Sequence, residues 1–273
     1  MRRCAVNETI EDVGGVEPKA DRGSVSIDAR GIHYRALNDM IREAVSAGAE
    51  QIELLNVNGQ RYIATGIRGQ ATIHVHGVPG NDLAALADGP QVVVHNNAQD
   101  AVGNTLNAGR VVVHGDAGDV VGYGMRGGKV FVRGDVGYRV GIHMKSSPRQ
   151  SPLLVVGGTA ADFLGEYQAG GRLVVLGLTT DAARRGTVVG DYCGTGMHGG
   201  VIYLRGEPNR NHIATRFVAI KEADDEAMAD LEPALREFCE LFDYDLAAVL
   251  NDRFWVVRPF SHKPFAGSYA PNP

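Results

Sequence analysis

The feature that most constrains this chain is a period. The stretches Thr72-Ile-His-Val-His-Gly77, Gln91-Val-Val-Val-His-Asn96, Arg110-Val-Val-Val-His-Gly115 and Lys129-Val-Phe-Val-Arg-Gly134 begin 19 residues apart each time. Leu153-Leu-Val-Val-Gly-Gly158, Arg172-Leu-Val-Val-Leu-Gly177 and Val201-Ile-Tyr-Leu-Arg-Gly206 follow at spacings of 24, 19 and 29. Each is short, β-branched and alternating, which is the pattern of a strand. A second marker, Gly103, Gly122, Gly141, Gly165 and Gly194, keeps the same register through both insertions.

A strand and a glycine-marked bend recurring every 19 residues predict a mainly β fold, a right-handed parallel β-helix of about seven coils with flanking α-helices at both ends. At ~4.8 Å per coil the rod is on the order of 30 Å long. Alternation places Ile73, Val92, Val111, Val130, Leu154, Leu173 and Ile202 inside, together with Val75, Val94, Val113, Val132, Val156, Val175 and Leu204. A left-handed hexapeptide helix would need a period divisible by six, and 19 is not.

Of the 36 glycines, 27 fall between Gly77 and Gly206, so the excess belongs to the repeat. Glycine costs backbone entropy on folding, so this density requires positive-φ corners or close approach between coils. It also accounts for GYGMRG at 122–127. That stretch matches the G-x-G-x-x-G dinucleotide fingerprint, but the strand Lys129-Val-Phe-Val132 follows it where a helix N-terminus is needed, and GTGMHG at 194–199 repeats it.

Three segments are expected: an N-terminal α/β cap over 1–65, the β-helix over 66–206, and a helical cap with an extended tail over 207–273. Leu37, Met40, Ile41, Ala44 and Val45 recur at helical spacing before Gly48, predicting a helix over 36–47. Gln51–Leu55 reads as a strand that forms an eighth coil or a cap. Phe217–Ile220 reads as a strand, Leu231, Leu235, Phe238 and Phe242 mark one face of a helix, and a further helix lies near Leu246–Leu250. Pro259–Pro273 has no period and is expected to lie extended.

With a net charge of −5 and 22% charged residues, the chain lacks the basic footprint of a nucleic-acid binder. Cys4, Cys193 and Cys239 form no C-x-x-C pair for zinc, an iron–sulfur cluster or a redox dithiol. No apolar run approaches ~18 residues, and MRRCAVNETI lacks the apolar stretch of a signal peptide. A reducing cytoplasm, away from membranes, is the expected setting.

Four groups of residues invite a chemical reading. His76, His95 and His114 share one outward column, and stacked imidazoles are potential metal ligands; Arg133, Gly157, Leu176 and Arg205 continue the column, and no carboxylate recurs beside it, which favours a solvated or interface ladder. The other outward column, His74, Val93, Val112, Phe131, Val155, Val174 and Tyr203, is too apolar to face water, so the chain's own helices or a partner protein must cover it. The insertions carry His143, Lys145 and Arg149, then Asp181, Arg184 and Arg185, and inserted loops of solenoids often line a binding face. Asp116, Asp119, Asp135, Asp162 and Asp191 adjoin glycines at bends, where Asp usually makes local turn bonds. No spacing pairs a nucleophile with a base, so no catalytic, cofactor-binding or metal-ligating residue is expected in this chain.

The comb Gly115-x-x-Gly118-x-x-x-Gly122, its echo Gly134-x-x-Gly137-x-x-x-Gly141, and EYQAGGRLVVLG at 166–177 resemble the GXGXG β-helix family. That family includes the C-terminal domain of the glutamate synthase large subunit and the related comb-bearing subunit of formylmethanofuran dehydrogenase. The likeness covers about Gly66–Gly206, with looser similarity of GIHYRALN and REFCELFDYD to stand-alone versions of the domain. It implies a non-catalytic scaffold of a glutamate synthase-like complex. Partner subunits would then supply the glutamine amidotransferase and the FMN- and iron–sulfur-dependent synthase. Residue 2 is Arg2, where an amidotransferase would carry its nucleophilic cysteine, and the family domain is usually fused, so a separate subunit is expected. The alternative is the comb-bearing subunit of a formylmethanofuran dehydrogenase or a formyltransferase/hydrolase complex; EYQAGG favours the synthase side.

Overall fold

A computed structural model describes residues 23–179 and 186–262. These residues form one eleven-stranded sheet in the order β1-β2-β3-β4-β5-β6-β7-β8-β9-β11-β10. In chain order the elements are β1 (Ser24–Asp28), α1 (Tyr34–Ser46), β2 (Gln51–Asn58), β3 (Thr72–Val78), β4 (Asp88–Val94), β5 (Ala108–Val113), β6 (Lys129–Val132), β7 (Leu153–Val156), β8 (Ala169–Val175) and β9 (Gly199–Arg205). β10 (Val218–Glu222), α2 (Asp225–Phe242), α3 (Leu246–Leu250) and β11 (Phe254–Pro259) follow.

β1 to β9 pair in parallel, each with the next, so the chain is a parallel β-solenoid. The seven in-register strands β3–β9 are joined by six complete turns, one fewer than the sequence count, because the seventh strand ends the stack instead of opening another coil. Val92 lies over Val111, Val111 over Val130, Val130 over Leu154, Leu154 over Leu173 and Leu173 over Ile202. All of them are buried in one continuous core with their partners two residues on. Burying two such side chains per strand contributes roughly 3–6 kcal/mol for each coil. A narrower ladder runs down a second side, Ala98 to Ala117, Val136, Ala160 and Val189.

The third side is made of bends in which every second residue is left-handed. Val120 (φ 51°), Gly122 (φ 69°) and Gly124 (φ 57°) are one rung, and Arg139 (φ 55°), Gly141 (φ 71°) and His143 (φ 55°) are the next. The middle position of each rung faces the interior. A Cβ on Gly122 would lie 2.6 Å from Leu154 Cδ1, and one on Gly165 2.7 Å from Ile202 Cδ1. The comb glycines therefore satisfy two demands at once, a positive φ and room for an aliphatic of the next coil, on the strand after the one that follows the bend.

The glycines of the other comb have a different cause. Asp116 Oδ1 accepts from the Asp135 amide at 2.8 Å, Asp119 Oδ1 from Tyr138 at 2.8 Å and Asp162 Oδ1 from Asp191 at 2.9 Å. Asn97 and Asp100 do the same one coil earlier, on Asp116 and Asp119, both at 2.9 Å. A Cβ at Gly134, Gly137 or Gly190 would collide with the carboxylate oxygen making that bond. The acidic bends thus bond from coil to coil, not locally as expected from turn chemistry, because each carboxylate meets an amide one whole period away. Asp116→Ala removes the acceptor of the Asp135 amide and, because this bond is exposed to water, is expected to destabilise by about 0.5–1.5 kcal/mol. Asp116→Asn keeps an acceptor, as Asn97 does, and loses little. Denaturant melts of the two variants check this.

The ends follow from the helices. The segment expected as a helix over 36–47 is α1, capped by the His33 side chain and followed by Gly48 at φ 90°. Leu37 and Ile41 are buried by it, whereas Met40 is 39% exposed and lies off the core face. β2 extends the sheet beyond β3, with a register shift between Leu54 and Val57. At the far end β11 pairs antiparallel with β9 and β10 with β11, so the last parallel strand presents no open edge. Beyond His262 the extended C-terminal tail expected from the sequence lies outside the described residues.

Candidate functional site

The apolar outward stripe is covered by the chain itself. Val112, Phe131, Val155, Val174 and Tyr203 pack with Leu231, Leu235, Phe238, Cys239 and Phe242 of α2 and with Phe254 and Val256 of β11. α2 begins where the Asp224 side chain accepts from the Ala227 amide, with Asp225 and Glu226 in its first turn opposing the macrodipole. Charges at the strand starts fix its position. Glu237 lies 3.2 Å from Arg110 and 2.6 Å from Lys129, Asp230 is 3.0 Å from Arg172, and the Tyr203 hydroxyl donates to Asp230 at 2.8 Å. Burial, and then that hydrogen bond, push the Tyr203 phenol well up from its ordinary value.

α2 stops short of the N-terminal coils, and there the histidines gather. β3 supplies His74 and His76, β4 leads into His95 and β5 into His114. The rings of His76 and His95 stack at 4.6 Å and 9°, and those of His95 and His114 at 5.6 Å and 10°. His74 Nδ1 is 3.1 Å from His95 Nε2, and the Phe242 edge closes on His114 at 5.2 Å. A carboxylate does stand beside this column: Glu53 of β2, one coil before the first histidine, reaches His76 Nε2 at 2.6 Å. Among the described residues no group of three or more His, Cys, Asp or Glu is placed to hold a metal ion.

Burial, followed by the like charges of His76, His74 and His114, holds the His95 imidazole below its usual range, with Glu53 offsetting part of this. Burial and then Arg133 do the same to His114. Both groups stay neutral in the fold where the unfolded chain takes up protons, so their contribution is intact above about pH 6.5 and is lost as pH falls through the depressed folded values. Asp28 and Asp224, whose carboxyls are lowered by hydrogen bonds, act in the same direction but only below the ordinary carboxylate range. The melting midpoint is expected to fall between pH 7 and 5, and His95→Gln to remove part of that fall. An unchanged slope in the variant would place the acid sensitivity elsewhere.

The remaining candidates separate. His143 and Lys145 of the first insertion line a cleft, and Arg149 lies outside it. Asp181, Arg184 and Arg185 of the second insertion, and Cys4, lie outside the described residues. The free thiols of Cys193 and Cys239 sit in different cores. Burial pushes Cys193 up to about 12, and burial followed by the charges of Asp245 and Glu240 raises Cys239. Neither is poised as a nucleophile. Sequence reasoning missed Arg126 and His198, which join Lys145 in the cleft, although all three share a position relative to the glycine marker.

Parallel coils, left-handed glycine rungs and acids bonded one period ahead define a glycine-combed β-solenoid. A family model described as the GXGXG motif matches residues 46–261. The chain belongs to that family, which is of the glutamate synthase C-terminal domain type. It is 45% identical over 254 residues to an uncharacterized protein of Methanocaldococcus jannaschii, covering 91% of this chain and 97% of that one. Among the described residues no helix is long and apolar enough to cross a membrane.

Proposed function

We propose that this chain is a non-catalytic structural subunit of a cytoplasmic glutamate synthase-like complex. Its partners would be a glutamine amidotransferase subunit and a synthase subunit carrying FMN and an iron–sulfur cluster. The observation that carries the reading is the use made of the family motif. Its glycines admit neighbouring coils, and its acids Asp116, Asp119, Asp135 and Asp162 bind amides of the following coil. The motif therefore builds a stiff rod, and those carboxylates are already engaged. The outer side of the bends adds support as a contact surface. Tyr138 and Tyr192 are 53% and 57% exposed there, and tyrosine is enriched at protein interfaces. Left-handed backbone at Phe163 and Tyr192 disfavours non-glycine residues by roughly 1–2 kcal/mol each, so large side chains are kept on this side against a local penalty.

Co-purification from the native source tests the proposal. Partners bearing FMN and glutaminase activity are the expected result. Recovery with molybdopterin or methanofuran-dependent enzymes would instead establish the formylmethanofuran dehydrogenase alternative, and recovery of the chain alone would overturn both.

A further inference from the structure

We propose that the cleft beside the first insertion binds a small dianion carrying oxyanion groups. The cleft has a volume of ≈ 630 Å³, and its charged or ionisable lining includes Arg126, His143, Lys145, His198 and His262, with no Asp or Glu. This collection is set by the repeat. The amides of Arg126, Lys145 and His198 donate to Leu106, Met125 and Gln168, residues in equivalent positions one coil earlier. Arg126 and Lys145 therefore occupy adjacent rungs, ~4.8 Å apart along the stack, and like charges directly opposite one another are unfavourable.

Nothing described around them relieves that repulsion. The nearby Glu166 carboxylate is 3.2 Å from Arg139. Arg126 Nε donates to the Gly124 carbonyl at 3.0 Å, which leaves the two terminal nitrogens of the guanidinium. Among the described residues no hydrogen bond or ion pair engages the Lys145 ammonium. The next rung carries Ala169, and its small side chain keeps the space between Lys145 and His198 open.

The histidines are oriented for the same task. His198 Nδ1 is 3.1 Å from the Gly196 carbonyl and His262 Nδ1 is 2.9 Å from the His198 carbonyl. A carbonyl only accepts, so each Nδ1 carries a hydrogen. His143 is held by stacking on Tyr167 at 5.4 Å, with Tyr123 edge-on at 6.0 Å. The hollow next to His262 also holds Arg172, Arg258 and Asp230, and Asp230 is already engaged by Arg172 and Tyr203. The sum is a recess whose fixed positive charge comes from Arg126 and Lys145 and whose lining carries no carboxylate.

Calorimetric titration of the full chain with sulfate and with succinate at pH 8 and low ionic strength tests this, both being dianions there. Binding of at least one at a Kd of about 1 mM or tighter is expected. Tighter sulfate binding indicates a phosphate-type ligand, and tighter succinate binding a dicarboxylate. The double variant Arg126→Ala/Lys145→Ala should weaken binding at least tenfold, with its fold checked by circular dichroism. Arg149→Ala, outside the cleft, should leave binding unchanged. No binding of either anion to the wild-type chain, or equal weakening by Arg149→Ala, overturns the proposal, and neither result bears on the scaffold reading.

Discussion

Gly141→Val is expected to destabilise the protein by about 2–5 kcal/mol, the sum of a left-handed backbone penalty of roughly 1–2 kcal/mol and an overpacking penalty of roughly 1–3 kcal/mol. Gly141 sits at φ 71°, and a Cβ there would lie 2.7 Å and 2.8 Å from the two methyls of Leu173. Leu173 is fully buried between Leu154 and Ile202, so it has nowhere to retreat. Gly66 makes the comparison clean, since its φ is 67° and a Cβ there meets nothing within 4 Å. Gly66→Val should therefore show only the backbone part, about 1–2 kcal/mol. Chemical denaturation of the pair measures the difference. Equal losses would mean that crowding by the next coil is not what demands glycine at Gly141.

Phe238→Ala is the second large effect, at about 3–5 kcal/mol for a fully buried aromatic. Phe238 is 0% exposed, and its ring packs against Phe242 at 4.9 Å and Tyr244 at 5.6 Å while α2 lies over the sheet. The loss should be followed by a change of state, because a loosened α2 uncovers Val112, Phe131, Val155, Val174 and Tyr203. The variant is expected to bind a hydrophobic dye and to self-associate, with both effects measured below its melting midpoint by fluorescence and light scattering. A variant that is destabilised yet monomeric and dye-silent would show that the stripe stays covered without this contact. Glu237→Gln, which weakens the ties to Arg110 and Lys129 at the half-buried edge of α2, should cost far less, about 1 kcal/mol or below.

Much of this fold was legible because the coils are nearly identical. Val92, Val111 and Val130 stack as their 19-residue spacing requires, and the marker glycines hold their rungs across both insertions because an insertion lengthens a loop without changing the ladder. The helix residues Leu231, Leu235, Phe238 and Phe242 and the stripe they cover were each visible as apolar patterns. What the pattern could not supply was their union, since periodicity in one segment carries no address for another segment distant along the chain.

The candidate sites show the same boundary. The His76, His95 and His114 column followed from the period, but Glu53 beside it did not, because it reaches His76 diagonally across a neighbouring strand. The acids at the bends were found, with the wrong partners, because an Asp next to Gly reads as local turn chemistry until the next coil is placed beneath it. Arg126, Lys145 and His198 were harder still. They fall on one column only when the unequal insertions between them are removed.

The sequence by itself thus determined the period, the inward aliphatics, the glycine demand and the family, since all of these repeat at short range along the chain. Only the tertiary structure decided where α2 lies, which amide each Asp accepts from and which cations share a cleft. Those contacts join residues one coil or more apart, and their identity depends on the stacking direction and on the space left between coils.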